Sequence, residues 1–125
     1  MIVKDNRPIF IQIMENIESD IITNIYQVND IIISTTEISK LYSVNPTTAV
    51  KAISKLTDAG ILYKKRGIGM CVAEGAKEII TQRRRGIFLN ESIEVFLKES
   101  QMLGFTLDEV ITLLKEKQER KKNDD

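Results

Sequence analysis

After Pro8, the residues Ile9, Phe10, Ile13, Met14, Ile17, Ile21 and Ile25 recur at intervals of three and four. That is the repeat of a helix with one apolar face, and with Pro8 in the first turn it predicts a helix over 8–25. Asp30 to Ile33 is a short β-branched run that reads as a strand. Ser34 followed by Glu37 has the spacing of a capping box and opens a second helix, which Tyr42-Ser43 cuts short. Asn45 offers a side-chain acceptor as N-cap, and Pro46 stands where a missing N–H costs nothing. Ala49, Val50, Ile53 and Leu56 form the apolar stripe of a third helix, closed by Gly60 in a left-handed cap. Residues 61–66 and 70–73 read as strands joined by Gly67-Ile68-Gly69, so a β-hairpin is expected.

Beyond Ala76 the strand signals disappear. The pattern is helical to nearly the end, with interruptions expected at Gly86 and Gly104. Thr106 and Glu109 make a second capping box, and Leu107, Val110, Ile111 and Leu114 follow as an apolar stripe. The polar tail from Glu119 to Asp125 is expected to fray. The fold class is therefore mainly α with a small β-hairpin: a helix-turn-helix with a hairpin over 1–73, then a short helical segment over 74–125.

Composition narrows the function. The chain has 125 residues, 42% of them hydrophobic, enough for one compact domain and a small appendage. The 29% charged residues balance to zero, so no chain-wide basic field exists and contact with nucleic acid has to come from a local patch. Cys71 has no second cysteine to pair with, and histidine is absent, which removes the usual zinc sets. Lys4, Asp5 and Arg7 close to Met1, and the lack of an apolar run of about 18 residues, argue against a secretory or membrane segment. A cytoplasmic protein with no membrane association, metal or cofactor is expected. The scattered carboxylates show no catalytic constellation, and the Gly67–Gly69 pair lacks the rest of a phosphate-binding fingerprint, so an enzyme is not expected.

The third helix carries Thr47, Thr48, Lys51, Ser54 and Lys55 opposite its apolar stripe. Hydroxyls and ammonium groups on the second helix of such a pair are placed to reach base edges and phosphates in the major groove. The hairpin adds Lys64, Lys65 and Arg66 beside two glycines, whose lack of a side chain allows close approach to a phosphate chain or the minor groove. Arg83-Arg84-Arg85 reads as a solvated or bridging run, Arg120-Lys121-Lys122 as a favourable cationic helix end, and Cys71 as a small core residue.

Three stretches, Arg7-Pro8-Ile9-Phe10-Ile11-Gln12-Ile13, Val44-Asn45-Pro46-Thr47-Thr48-Ala49-Val50-Lys51-Ala52 and Arg66-Gly67-Ile68-Gly69-Met70-Cys71-Val72, resemble the GntR regulators in order and spacing over residues 7–73. Leu103-Gly104-Phe105-Thr106 before a last helix is similar to the YtrA-type branch. The resemblance implies a winged helix-turn-helix, a two-helix dimerisation segment, binding to a palindromic operator in double-stranded DNA, and often repression of an operon encoding an ABC transporter. It assigns DNA contact to Ser34, Thr47, Thr48, Lys51 and, in the wing, Lys65, Arg66, Gly67 and Gly69. Lys55 on the same polar face, Arg7, Asn45, and Thr35 and Thr36 near a helix N-terminus that favours phosphate are expected contacts beside them. The family usually has an arginine early in the second helix that reads a guanine. Ile33-Ser34-Thr35-Thr36 stands there instead, and threonine is too short for a bidentate guanine contact, so an altered operator is expected.

Two short helices make a poor core alone. Ile93, Phe96, Leu97, Leu103, Leu107, Val110, Ile111 and Leu114 are therefore assigned to a homodimer interface. An unidentified small-molecule effector would find room only between these helices and the winged domain. The alternative function is a winged-helix protein-interaction module without specific DNA binding, which neutral net charge and the missing arginine favour.

Overall fold

The computed structural model describes residues 6–124; Met1, Lys4, Asp5 and Asp125, on which parts of the reading above rest, lie outside the described residues. The elements run α1 (Ile9–Ile22), α2 (Thr35–Tyr42), α3 (Pro46–Asp58), β1 (Leu62–Lys65), β2 (Gly69–Val72), α4 (Ala76–Ile87), a π-helical turn (Phe88–Ser92), α5 (Ile93–Met102) and α6 (Leu107–Asp124). The chain divides into two compact units, Met1–Arg83 and Arg84–Asp125.

In the first unit, α1 packs on α3, α3 on α2 and on β1, around a core that includes Ile13, Ile17, Ile38, Leu56, Ile61 and Ile80. Helix α1 stops earlier than the apolar repeat suggests. Asn24 takes a left-handed conformation (φ 65°) and the Tyr26 amide donates to the Asp20 carbonyl (3.0 Å), so the chain turns away and Ile25 is left exposed. The β-branched run 30–33 is a single bridge, Ile31 with Cys71, and not a strand. Asn29 and Ile32 donate to the carbonyls of Val72 and Met70, pinning this loop to the outer edge of β2.

The capping box at α2 forms in full: the Glu37 amide donates to Ser34 Oγ (3.1 Å), and the Ser34 amide donates to the Glu37 carboxylate (3.4 Å). Asn45 is the N-cap of α3, yet its side chain makes no capping bond; its backbone carbonyl accepts from Thr48 (2.9 Å) and Ala49 (3.3 Å). With Pro46 holding the first helical φ, the helix starts without side-chain help. Val50 does not belong to the apolar stripe, being 50% exposed; Ala52 takes its place beside Ala49, Ile53 and Leu56. The reason is angular: Ala49, Ala52, Ile53 and Leu56 follow the i, i+3, i+4, i+7 rule, and Val50 sits about 100° from Ala49. Gly60 (φ 79°) closes α3, with Gly60 donating to Thr57 (3.0 Å) and Ile61 to Leu56 (3.0 Å), the double bond pattern of a left-handed cap.

Strands β1 and β2 pair antiparallel, Leu62 opposite Val72 and Lys65 opposite Gly69. The first unit extends ten residues past the end of the hairpin motif at 73, because Ala76 and Ile80 of α4 are fully buried in its core.

In the second unit, Gly86 does not interrupt the helix: α4 passes through it, and the irregularity is the π-helical turn that follows. Gly104 (φ 84°) does end α5, with Phe105 donating to Ser100 (3.0 Å). The second capping box forms between Thr106 and Glu109 (3.0 and 3.1 Å), and α6 continues through the tail to Asp124. Val110 is the one buried residue among the described residues of this unit. No helix among the described residues is long and apolar enough to cross a membrane, and no group of three or more Asp, Glu or Cys is placed there to hold a metal ion.

Candidate nucleic-acid interface

The polar face of α3 follows from its buried one. With Ala49, Ala52, Ile53 and Leu56 turned inward, Thr47, Lys51, Ser54 and Lys55 are exposed and Thr48 is partly covered. Asn45 is exposed at the helix start. In α2, Ser34 and Thr36 are exposed and Thr35 is half-buried; the Ser34 hydroxyl is engaged with the Glu37 amide. The tight turn between the helices is made by Ser43 in a left-handed conformation (φ 53°), with Val44 donating back to Ser39 (3.1 Å).

The wing is built by the hairpin. Lys65 pairs with Gly69, and Ile68 donates to the Lys65 carbonyl (3.0 Å), closing a tip of Arg66, Gly67 and Ile68. Gly67 has φ 79°, which L side chains rarely adopt, and nothing lies within 4 Å of where a Cβ would stand. The tip is thus open and needs glycine for its backbone, not for space. Lys64, Lys65, Arg66 and Gly67 are exposed and Gly69 is half-buried.

Arg7 is placed differently from the rest. It pairs with Glu15 on α1, and Gln12 Nε2 donates to its carbonyl (2.9 Å). Any phosphate contact by Arg7 has to compete with that carboxylate.

Two features escaped the sequence reading. Lys51 Nζ lies 4.2 Å from the centroid of the Phe10 ring and Lys55 Nζ 6.0 Å from it, so α1 provides an aromatic floor for the cations of α3. Glu18, buried on α1, meets Arg83 of α4 at 2.6 Å. The second had a signal: Glu18 stands one turn from both Met14 and Ile21, a carboxylate within an apolar stripe. Phe10 also sits on that stripe, where nothing distinguishes it from a core residue.

Two helices joined by a tight turn, the second with a polar outer face, followed by a cationic hairpin, define a winged helix-turn-helix protein. A family model for bacterial regulatory proteins of the gntR family matches residues 11–72. A GntR family transcriptional regulator from Listeria monocytogenes is 32% identical, the match covering 91% of this chain and 98% of that one, with a TM-score of 0.71. The HTH-type transcriptional repressor YtrA of Bacillus subtilis is 25% identical over 90% of this chain and 86% of its own length. The DNA-binding domain of AraR, solved in complex with the operator ORR3, is 29% identical and covers 58% of this chain and 88% of its own, with a TM-score of 0.53. The chain belongs to the GntR family of bacterial transcriptional regulators.

Proposed function

We propose that the chain is a cytoplasmic repressor of the YtrA type that binds a palindromic operator as a homodimer, and that its target is a small operon such as one encoding an ABC transporter. The observation that carries the reading is the exposed row Thr47, Lys51 and Lys55 on α3, in a unit whose hairpin adds Lys64, Lys65 and Arg66. What supports the reading is chemical: hydroxyls and ammonium groups on the second helix of such a pair suit base edges and phosphates, and cations on a wing suit phosphates. The AraR domain, of the same fold, is known bound to its operator.

Dimerisation draws its support from the second unit. Phe96, Leu103, Leu107, Ile111 and Leu114 are between 40% and 68% exposed, and Ile93 and Leu97 are partly covered. An apolar groove of about 250 Å³ on this unit, lined by Phe96, Leu103, Phe105, Val110, Leu113 and Leu114, lies along the same stripe. A patch of this extent calls for a cover, and a second copy supplies the same stripe by twofold symmetry. Occlusion of a promoter by the bound dimer is the mechanism.

The test is a gel shift with the DNA upstream of the chain's own gene over a range of salt concentrations. A specific shift that weakens steeply with salt is expected. No salt-sensitive shift on any double-stranded DNA would overturn the reading in favour of a protein-docking winged helix.

A further inference from the structure

Phe10 is partly buried and packs against the core of the first unit. Lys51 and Lys55 meet the same ring, 4.2 and 6.0 Å from its centroid. The two lysines stand one turn apart on α3, so both ammonium groups reach from one edge of the helix to a single residue of α1. We propose that Phe10 is a positioning residue for DNA binding, whose ring face orders Lys51, and more weakly Lys55, before DNA arrives. The inference rests on the DNA-binding reading above.

The face of an aromatic ring is electron-rich and attracts an ammonium group out to about 6 Å. At 4.2 Å Lys51 is held; at 6.0 Å Lys55 is at the limit of the attraction. A lysine free in solvent samples many rotamers and loses them when it pairs with a phosphate, a cost that falls when the side chain is already ordered. The ring orders without neutralising. It leaves the ammonium its full charge and its N–H donors for phosphate oxygens, whereas a carboxylate neighbour, such as Glu15 beside Arg7, competes for both. Aromatic preorganisation therefore suits a cation that has to be in place and still available.

The experiment is a double-mutant cycle on the full chain, with Phe10→Leu, Lys51→Ala and the pair, measured against duplex DNA from upstream of the chain's own gene. Phe10→Leu keeps an apolar side chain against the core. It is expected to weaken binding by about two- to fivefold, the range that a solvent-exposed cation–π contact supports. In the Lys51→Ala background the same substitution should cost almost nothing, and Phe10→Tyr, which retains the ring, should bind as the unsubstituted protein does. Equal losses from Phe10→Leu in both backgrounds would overturn the inference, since a purely structural effect does not depend on Lys51. The ε-methylene protons of Lys51 provide a readout independent of DNA and of the leucine variant: ring-current displacement is expected in the free unsubstituted protein and in Phe10→Tyr. Undisplaced protons overturn the inference alone; absence of any salt-sensitive DNA binding overturns the DNA-binding reading with it.

Discussion

Glu18 and Arg83 meet at 2.6 Å, the carboxylate almost wholly buried on α1 and the guanidinium nearly half exposed on α4. The pair fastens the first part of α4 to the first unit. Removing the cation leaves a buried carboxylate without this partner, which costs more than the pair itself contributes. Because Arg83 is partly solvated, the full cost of a buried break is reduced. Arg83→Met is expected to lower stability by about 1 to 3 kcal/mol, and the double variant with Glu18→Met to recover most of the loss; thermal unfolding of the three proteins checks both.

A second prediction concerns where the winged unit ends. A chain stopped after Ala73 has lost Ala76, Ile80 and Arg83, two of them fully buried in the core. It is expected to be roughly 3 kcal/mol less stable than a chain stopped after Ile87, by denaturant unfolding of both fragments.

Thr36 is exposed in the first turn of α2, at the place where the family resemblance implies a base-reading arginine. Thr36→Arg should shift preference toward sites with a guanine by about 1 to 3 kcal/mol. Selection from a random duplex pool by both proteins measures it; the same motif from each would show that position 36 meets no base.

Leu114 is half exposed in the second unit and lines its apolar groove. An aspartate there would be buried unpaired in a dimer, so Leu114→Asp is expected to sediment as a monomer where the unsubstituted chain sediments as a dimer. Operator affinity should fall by about a hundredfold, because two linked heads bind far more tightly than one. A dimer of the aspartate variant at micromolar concentration would place the interface elsewhere.

Glu109 has a carboxyl held below its ordinary value of 4.5, first by the Thr106 amide that donates to it and then by the Thr106 hydroxyl. A depressed carboxyl stabilises the fold when ionised. Its contribution is complete above the ordinary value and is lost as pH falls from there through the lowered one. The first turn of α6 should therefore loosen in acid, seen as faster amide exchange after allowance for the intrinsic rate, and Glu109→Gln should remove that dependence.

Much of this protein is local, and local features were legible in the chain. Both capping boxes, the Gly60 and Gly104 caps, the hairpin around Gly67 and the sequence of helices each depend on residues within a few positions of one another. Hydrogen-bond reach and backbone sterics decide them before any long-range packing exists. The polar row of α3 was legible for a similar reason, because helical periodicity alone separates Lys51 and Lys55 from Ala49 and Leu56.

What the tertiary structure decided involves partners distant in sequence. The run 30–33 has the composition of a strand, but β2 offers it one bridge, so it stays a loop. Asn45 is a capable cap whose side chain makes no capping bond, and the apolar repeat of α1 overran the point where Asn24 turns the chain. The reach of the first unit into α4 rests on Ile80 finding the core and on Arg83 finding Glu18, more than sixty positions away. The floor that Phe10 makes under Lys51 is of the same kind. Residue type tells that a ring and an ammonium attract; only the packing of α1 on α3 puts them within range.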